Sequence, residues 1–117
     1  MGQYYLLVNV SKKEYIDPHK IHEGAKFYEL VSGSSMGVLL LFLLHKSDAI
    51  AYGDVEDPQN YKYLGHWSGD EVYLVGDYDS SQLYTYAKAK FRDITADVVE
   101  EYNRFMNGER LIRVSKA

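Results

Sequence analysis

The chain has 117 residues, 46% hydrophobic and 26% charged, which sizes it for one core and separates it from disordered sequences. It contains no Cys, which excludes disulfides, thiol catalysis and thiolate zinc sites and makes the cytoplasm the expected compartment. The formal net charge is −4, so the basic footprint of a nucleic-acid binder is missing.

Residues 3–10 are rich in Tyr, Leu and Val and nearly continuous in apolar character, which predicts a strand buried on both faces. Ser11-Lys12-Lys13 predicts a tight turn, and Glu14-Tyr15-Ile16 an antiparallel return that stops before Asp17-Pro18. Asp17 as N-cap and Pro18 at the first helical position start a helix. A clearer helix spans 25–31, with Phe27, Leu30 and Val31 on its inner side. Residues 36–46 carry an unbroken Val-Leu-Leu-Leu-Phe-Leu-Leu run, rich in Leu rather than β-branched residues. Apolar character all round predicts a central helix buried all round, ending where His45 and Lys46 suit a helix C-terminus. This run is far shorter than the about 20 residues a membrane span needs. The opening Met1-Gly2-Gln3-Tyr4-Tyr5 lacks the basic start of a secretory leader, so none is expected.

Residues 61–67 and 71–76 flank Ser68-Gly69-Asp70 and predict a second β-hairpin. Asp79-Ser80-Ser81 predicts the cap of a helix running to about Lys90, with Leu83, Tyr84 and Ala87 inward. Thr95 is the expected cap of the next helix, whose inner face is Val98, Val99, Tyr102 and Phe105, and Asn107-Gly108 ends it. Residues 110–114 alternate and predict a last, edge strand. The expected fold is α+β in the order ββααββααβ. Two hairpins and the C-terminal edge strand form an antiparallel or mixed sheet, with about four helices packed on it.

The charge is uneven. Residues 54–79 hold seven acids (Asp54, Glu56, Asp57, Asp70, Glu71, Asp77 and Asp79) against one base, Lys62, which predicts an acidic face or loop cluster. Gly-Asp occurs at 53–54, 69–70 and 76–77, where a turn can present a carboxylate. Asp54, Asp70, Asp77 and Asp79 could together hold a divalent cation through oxygen ligands, although turn and capping roles need no metal. His19 and His22 stand three residues apart, a spacing that also suits a metal if Glu23 or Glu29 joined them, or plain surface and capping roles. His66 with Asp70 and Asp77 offers general acid–base chemistry, with no motif that fixes the distances. Gly33-Ser34-Ser35 before a helix could receive an anion or simply cap it. Twelve Tyr beside four Phe and one Trp suit either half-buried strands or an interface. Tyr4, Tyr5, Tyr61, Tyr63 and Trp67 would make an aromatic sheet face of the sort that stacks RNA bases, but the acidic balance opposes nucleic acid.

The opening Met1-Gly2-x-Tyr4-Tyr5, with Asn9, Lys12-Lys13-Glu14-Tyr15-Ile16 and Pro18-His19, and the later Trp67-x-Gly69-Asp70-x-Val72 and Gly76-Asp77-Tyr78, resemble a family of small uncharacterised proteins of prokaryotes and their viruses. Members begin with a Met-Gly-x-Tyr-Tyr segment, carry Lys-Glu and Pro-His soon after, and later show the Trp-x-Gly-Asp and Gly-Asp-Tyr pair. The resemblance covers about two thirds of the chain. It departs at Ala51-Tyr52-Gly53-Asp54, where a Gly-richer loop is expected. The family carries no assigned activity, so the resemblance marks positions and names no reaction. Those positions are Tyr4, Tyr5, Asn9, Pro18, His19, Trp67, Gly69, Asp70, Gly76, Asp77 and Tyr78.

If the two hairpins share a sheet, some of Tyr4, Tyr5, Asn9, His19, Trp67, Asp70 and Asp77 could converge at one rim; the alternative is that these residues are fold determinants, as turn, helix-start and core residues. The functional expectation is a non-enzymatic interaction module that needs no cofactor. It self-associates, as a dimer, or binds a protein partner through Tyr4, Tyr5, Asn9, His19, Trp67 and Tyr78. The alternative is a small metal-assisted hydrolase or nuclease using His66, Asp70 and Asp77.

Overall fold

The hairpin at the start of the chain organises the sheet. The computed structural model describes residues 2–21, 24–33, 35–48 and 55–115. Strand β1, Tyr5–Asn9, turns through residues 10–13 into β2, Glu14–Ile16, with Val8 opposite Tyr15. The turn forms because Lys13 takes a left-handed φ of 60° and Asn9 Oδ1 accepts the Lys12 N–H at 2.7 Å. Leu6 and Val8 pack on one side with Tyr15, Val75 and Ala87. Leu7 packs on the other with Ile16, Trp67 and Val98. Two buried faces explain the near-continuous apolar run of β1.

The fold is α+β with a four-stranded mixed sheet in the order β3-β1-β2-β4. Strand β3, Val72–Gly76, runs antiparallel to β1, with Leu7 opposite Leu74. Strand β4, Arg92–Asp93, is parallel to β2. Helix α3, Leu83–Lys90, covers one face through Ala87, with Leu83 and Tyr84 half-buried beside it as expected. Helices α2, Ser35–Leu44, and α4, Thr95–Phe105, cover the other. They meet through the Phe42 and Tyr102 rings, 6.0 Å apart. Val98, Val99 and Tyr102 of α4 point inward as the sequence pattern requires, and Glu101 joins them. Asp17 caps a short 3-10 turn, Pro18–Ile21, by accepting the His19 N–H at 3.0 Å.

Five expectations are corrected. The second hairpin does not form: β3 exists, but 61–67 is a string of turns. Its amides serve α2 instead, Gly65 N–H donating to the Phe42 carbonyl and Trp67 N–H to the Leu43 carbonyl, both at 2.9 Å. They satisfy carbonyls that a helix C-terminus leaves without partners. Gly65 sits at φ +74°, and a Cβ there would lie 2.6 Å from the His45 carbonyl oxygen, so the approach needs glycine.

The C-terminal strand is also absent. Ile112 is buried as its alternation implies, but its backbone is met by one side chain. Asn103 Oδ1 accepts the Ile112 N–H at 2.9 Å and Asn103 Nδ2 donates to the Ile112 carbonyl at 2.8 Å. An asparagine amide thus stands in for a strand partner. Helix α2 is buried along one stripe only, with Leu41 70% exposed, because a Leu run without polar punctuation marks no face. Helix α1, Phe27–Ser32, has under two turns and anchors through Leu30 alone, leaving Phe27 and Val31 exposed. The cap of α4 shifts: Thr95 is its first residue, and Asp93 accepts the Thr95 N–H at 2.9 Å, whereas at α3 the expected Asp79-Ser80-Ser81 segment serves, Ser81 Oγ accepting the Leu83 N–H at 3.2 Å.

Candidate functional site

The sequence candidates meet in two groups at opposite ends of β1 and β3 rather than at a single rim. Asp70 and Asp77 flank β3, about 20 Å apart by the rise of a strand. At one end, buried Asn9 donates from Nδ2 to Asp70 at 2.8 Å, and Lys12 Nζ pairs with the same oxygen at 2.6 Å. At the other end, Asp77 Oδ1 accepts the Tyr4 N–H at 3.0 Å, the Tyr4 and His19 rings meet at 4.9 Å, and the Tyr78 N–H donates to Gln3 at 3.2 Å. Tyr78 is 77% exposed, whereas Tyr5 is half-buried beside Phe27. Tyr61, Tyr63 and Trp67 lie in the turn segment, so the expected aromatic sheet face does not form.

Trp67 and His66 converge on the Glu14 carboxylate, which belongs to none of the candidate metal or acid–base sets. Trp67 is fully buried, and its indole N–H donates to Glu14 Oε1 at 2.8 Å. His66 Nε2 lies 3.1 and 3.2 Å from the two Glu14 oxygens, and its ring meets Tyr63 at 5.2 Å. A second buried acid, Glu101, accepts three successive backbone N–H groups: Lys62 at 2.7 Å, Tyr63 at 2.6 Å and Leu64 at 3.0 Å. Glu14 and Glu101 therefore hold residues 62–67 from two sides. The signal was legible in principle, since Glu14 alternates into the core beside Ile16, and Glu101 sits on the apolar face of α4 between Val98 and Tyr102. A charge on a buried face demands partners. These partners are supplied by the turn segment, so the cluster is saturated by structural bonds.

Asp54 of the expected metal set lies outside the described residues, as do His22, Glu23 and Ser34. Asp70 is engaged by Lys12, and Asp79 accepts the Ser81 N–H at 3.1 Å. Glu29 caps α1, accepting the Ala25 and Lys26 N–H groups at 3.1 and 3.0 Å. Among the described residues, no group of three or more His, Asp or Glu is placed to hold a metal.

The third feature is a sheet edge. Strand β3 ends the strand order, and its outer side meets no strand among the described residues. The Val10 N–H donates to the Glu71 carbonyl at 3.1 Å and the Asp77 N–H to the Tyr4 carbonyl at 2.8 Å. Antiparallel ladders bond at every second residue, so Glu71, Tyr73, Val75 and Asp77 face β1. The N–H and carbonyl groups of Val72 and Leu74 therefore face outward, whereas Gly76 is buried and its carbonyl accepts the Asp79 N–H at 3.2 Å. Tyr73 is 47% and Leu74 38% exposed. A groove of about 550 Å³ runs along this edge, lined by Tyr5, Tyr73, Leu74, Leu83 and Asp79.

Two carboxylates tie the sheet periphery to solvent pH. The hydrogen bond from Lys12, then that from Asn9, holds the Asp70 carboxyl below its ordinary value of 3.8. Burial pushes Asp93 upward, but hydrogen bonds from Lys20 and Thr95 outweigh it and leave its carboxyl below 3.8 as well. A carboxyl depressed by folding stabilises in full above its unfolded value, and that contribution is lost as pH falls through the folded value. Stability is therefore expected to decline as pH drops below about 4, and Asp93→Asn to differ less from the wild type at pH 3 than at pH 6 in urea midpoint. An unchanged difference between the two would remove Asp93 from the acid limb.

No protein-family model, curated protein or solved structure matches the chain.

Proposed function

We propose that the chain is a non-enzymatic protein-interaction module that takes an extended protein segment onto the open edge of β3. The observation that carries this reading is the edge itself. Val-Tyr-Leu-Val-Gly contains no Lys, no Pro and no charge, the devices that natural edge strands use against pairing. Strand addition supplies main-chain hydrogen bonds, and the neighbouring groove supplies side-chain contact. Tyr5 lines that groove, and Tyr4 and Tyr78 stand at the end of the strand, so three of the expected interaction residues border the edge. Asn9 and Trp67 are buried and serve the fold instead. The hydrolase alternative loses its geometry, because Asp70 and Asp77 do not meet and His66 is committed to Glu14.

A second copy of the chain is the other occupant this edge admits, and the dimer expectation belongs to this proposal. No helix among the described residues is long and apolar enough to cross a membrane. A cytoplasmic setting remains part of the proposal, resting on the absence of Cys.

The test is Leu74→Pro. Its outward N–H makes no bond to β1, so the ladder survives while the central edge donor is lost. Binding of an uncharged extended peptide, Ser-Thr-Val-Thr-Val-Thr-Ser, is expected to shift the Val72 and Leu74 amide resonances of the wild type. Affinity should fall roughly ten-fold in the variant. Peptide binding without any shift along β3 overturns the assignment.

A further inference from the structure

We infer that the cavity beneath the C-terminal segment binds a free apolar α-amino acid, clasped between helices α2 and α4 and residues 109–112. Its lining shares no residue with the groove along β3, so the inference does not depend on strand addition. The cavity holds about 570 Å³, with Val38 of α2 and Tyr102 of α4 on one side and Glu109, Arg110 and Leu111 on the other. That volume suits a small organic molecule.

The chain reaches the cavity by reversing after α4, where Asn107 and Gly108 both take a left-handed φ, 52° and 75°. Beyond the reversal it is tied at two points. The Glu109 N–H donates to the Met106 carbonyl at 3.0 Å, and the Asn103 amide grips both backbone groups of Ile112. Between these ties the backbone of Arg110 and Leu111 makes no hydrogen bond among the described residues. A span with so few bonds opens locally at little cost, which lets a ligand enter and the segment close on it.

The groups that border the cavity lack partners. Glu109 and Arg110 join no ion pair among the described residues, with each other or with a third group. Tyr102 is 5% exposed, yet its hydroxyl makes no hydrogen bond among the described residues, where a buried polar group normally has one. No described side-chain polar atom sealed from solvent is unsatisfied, so this hydroxyl is reached from the cavities that Tyr102 borders. An unpaired acid beside an unpaired base matches a ligand that carries both charges. A guanidinium holds a carboxylate by two parallel N–H bonds, and an ammonium donates to a carboxylate such as that of Glu109. Val38, Leu111 and the Tyr102 ring make the remaining wall apolar. A ligand with only one of the two charges leaves the like charge of the site uncompensated.

The test titrates L-leucine into the full chain and follows it by NMR. The amides of residues 109–112 and the Tyr102 ring are expected to shift, and exchange of the Ile112 amide hydrogen to slow as the segment closes. Leucinamide, which lacks the carboxylate, and isocaproate, which lacks the amine, should each bind roughly ten-fold more weakly. Arg110→Gln should weaken leucine about ten-fold without weakening leucinamide, and Glu109→Gln should weaken leucine without weakening isocaproate. Both side chains are exposed, so neither variant should move the urea midpoint.

Equal binding of leucine, leucinamide and isocaproate overturns recognition of a zwitterion. Shifts confined to residues elsewhere overturn the location. No shift with leucine, valine or phenylalanine at about 10 mM overturns the site itself. None of these results touches the β3 proposal, which its own peptide test decides.

Discussion

Glu101→Ala is expected to destabilise the protein by about 3–5 kcal/mol in urea unfolding. The side chain sits on the buried face of α4, and its two oxygens take the N–H groups of Lys62, Tyr63 and Leu64. Each buried donor left without an acceptor costs about 1–3 kcal/mol. Tyr63 is fully screened from solvent, whereas Lys62 is exposed and regains water, which keeps the sum below three full penalties. The loss spreads, because the same segment closes the C-terminal end of α2 through Gly65 and Trp67. Glu101→Gln keeps the shape and one carbonyl oxygen, so it should lose about 1–2 kcal/mol, less than the alanine variant. Arg104, 3.8 Å from Glu101, is half-exposed and contributes little to this difference. An alanine variant within about 1 kcal/mol of the wild type would show that the three amides find other acceptors.

That segment is also where the sequence misleads. Tyr61, Tyr63, Leu64 and Trp67 carry the apolar density of a strand, and Ser68-Gly69-Asp70 looks like a hairpin turn. Local pattern carries no record of Glu14 and Glu101, 53 positions before Trp67 and 38 after Tyr63, whose carboxylates outcompete a β ladder for these amides and the indole. The opposite holds for β1 and α4, where a near-continuous apolar run marks a strand buried on both faces and a period of 3.6 residues marks the inner side of a helix, and both elements appear where the pattern puts them. Strand β4 escaped because two residues make no period at all, and it exists only because the Lys13 and Tyr15 carbonyls accept the Arg92 and Ile94 N–H groups at 2.9 and 3.0 Å. The C-terminal alternation was real, and Ile112 is inward. Only the bonding partner differed, an asparagine on α4 in place of a strand.

The candidate site was legible to a similar degree. Asn9, His66, Trp67 and Asp70 do gather near the turn end of the first hairpin, yet their roles follow from burial and saturation, which residue type alone does not reveal. The open edge of β3 was hidden for the same reason as the false hairpin. Pairing 61–67 with 71–76 on paper closes the side of β3 that meets no strand among the described residues.

Trp67→Ala is expected to cost about 3–5 kcal/mol, combining the cavity left by a fully buried indole with the lost donor to Glu14. Trp67→Phe separates the two terms. It keeps most of the packing and removes the N–H, and a loss of about 1–2 kcal/mol is expected. Glu14→Leu should cost less in the Trp67→Phe background than in the wild type, because the acceptor then has only His66 to lose. The chain has a single Trp, so its emission reports this site alone. Emission characteristic of a dry indole should shift to longer wavelength at the same urea concentration at which helical signal is lost, since the residue joins the turn segment, α2 and β2 into one core. A fluorescence transition well before the loss of helix would mean that residues 62–67 open on their own and that Glu14 and Glu101 clamp them only weakly. Coincident transitions, together with non-additive costs in the Glu14–Trp67 pair, would establish the buried carboxylates as what holds this irregular segment in place.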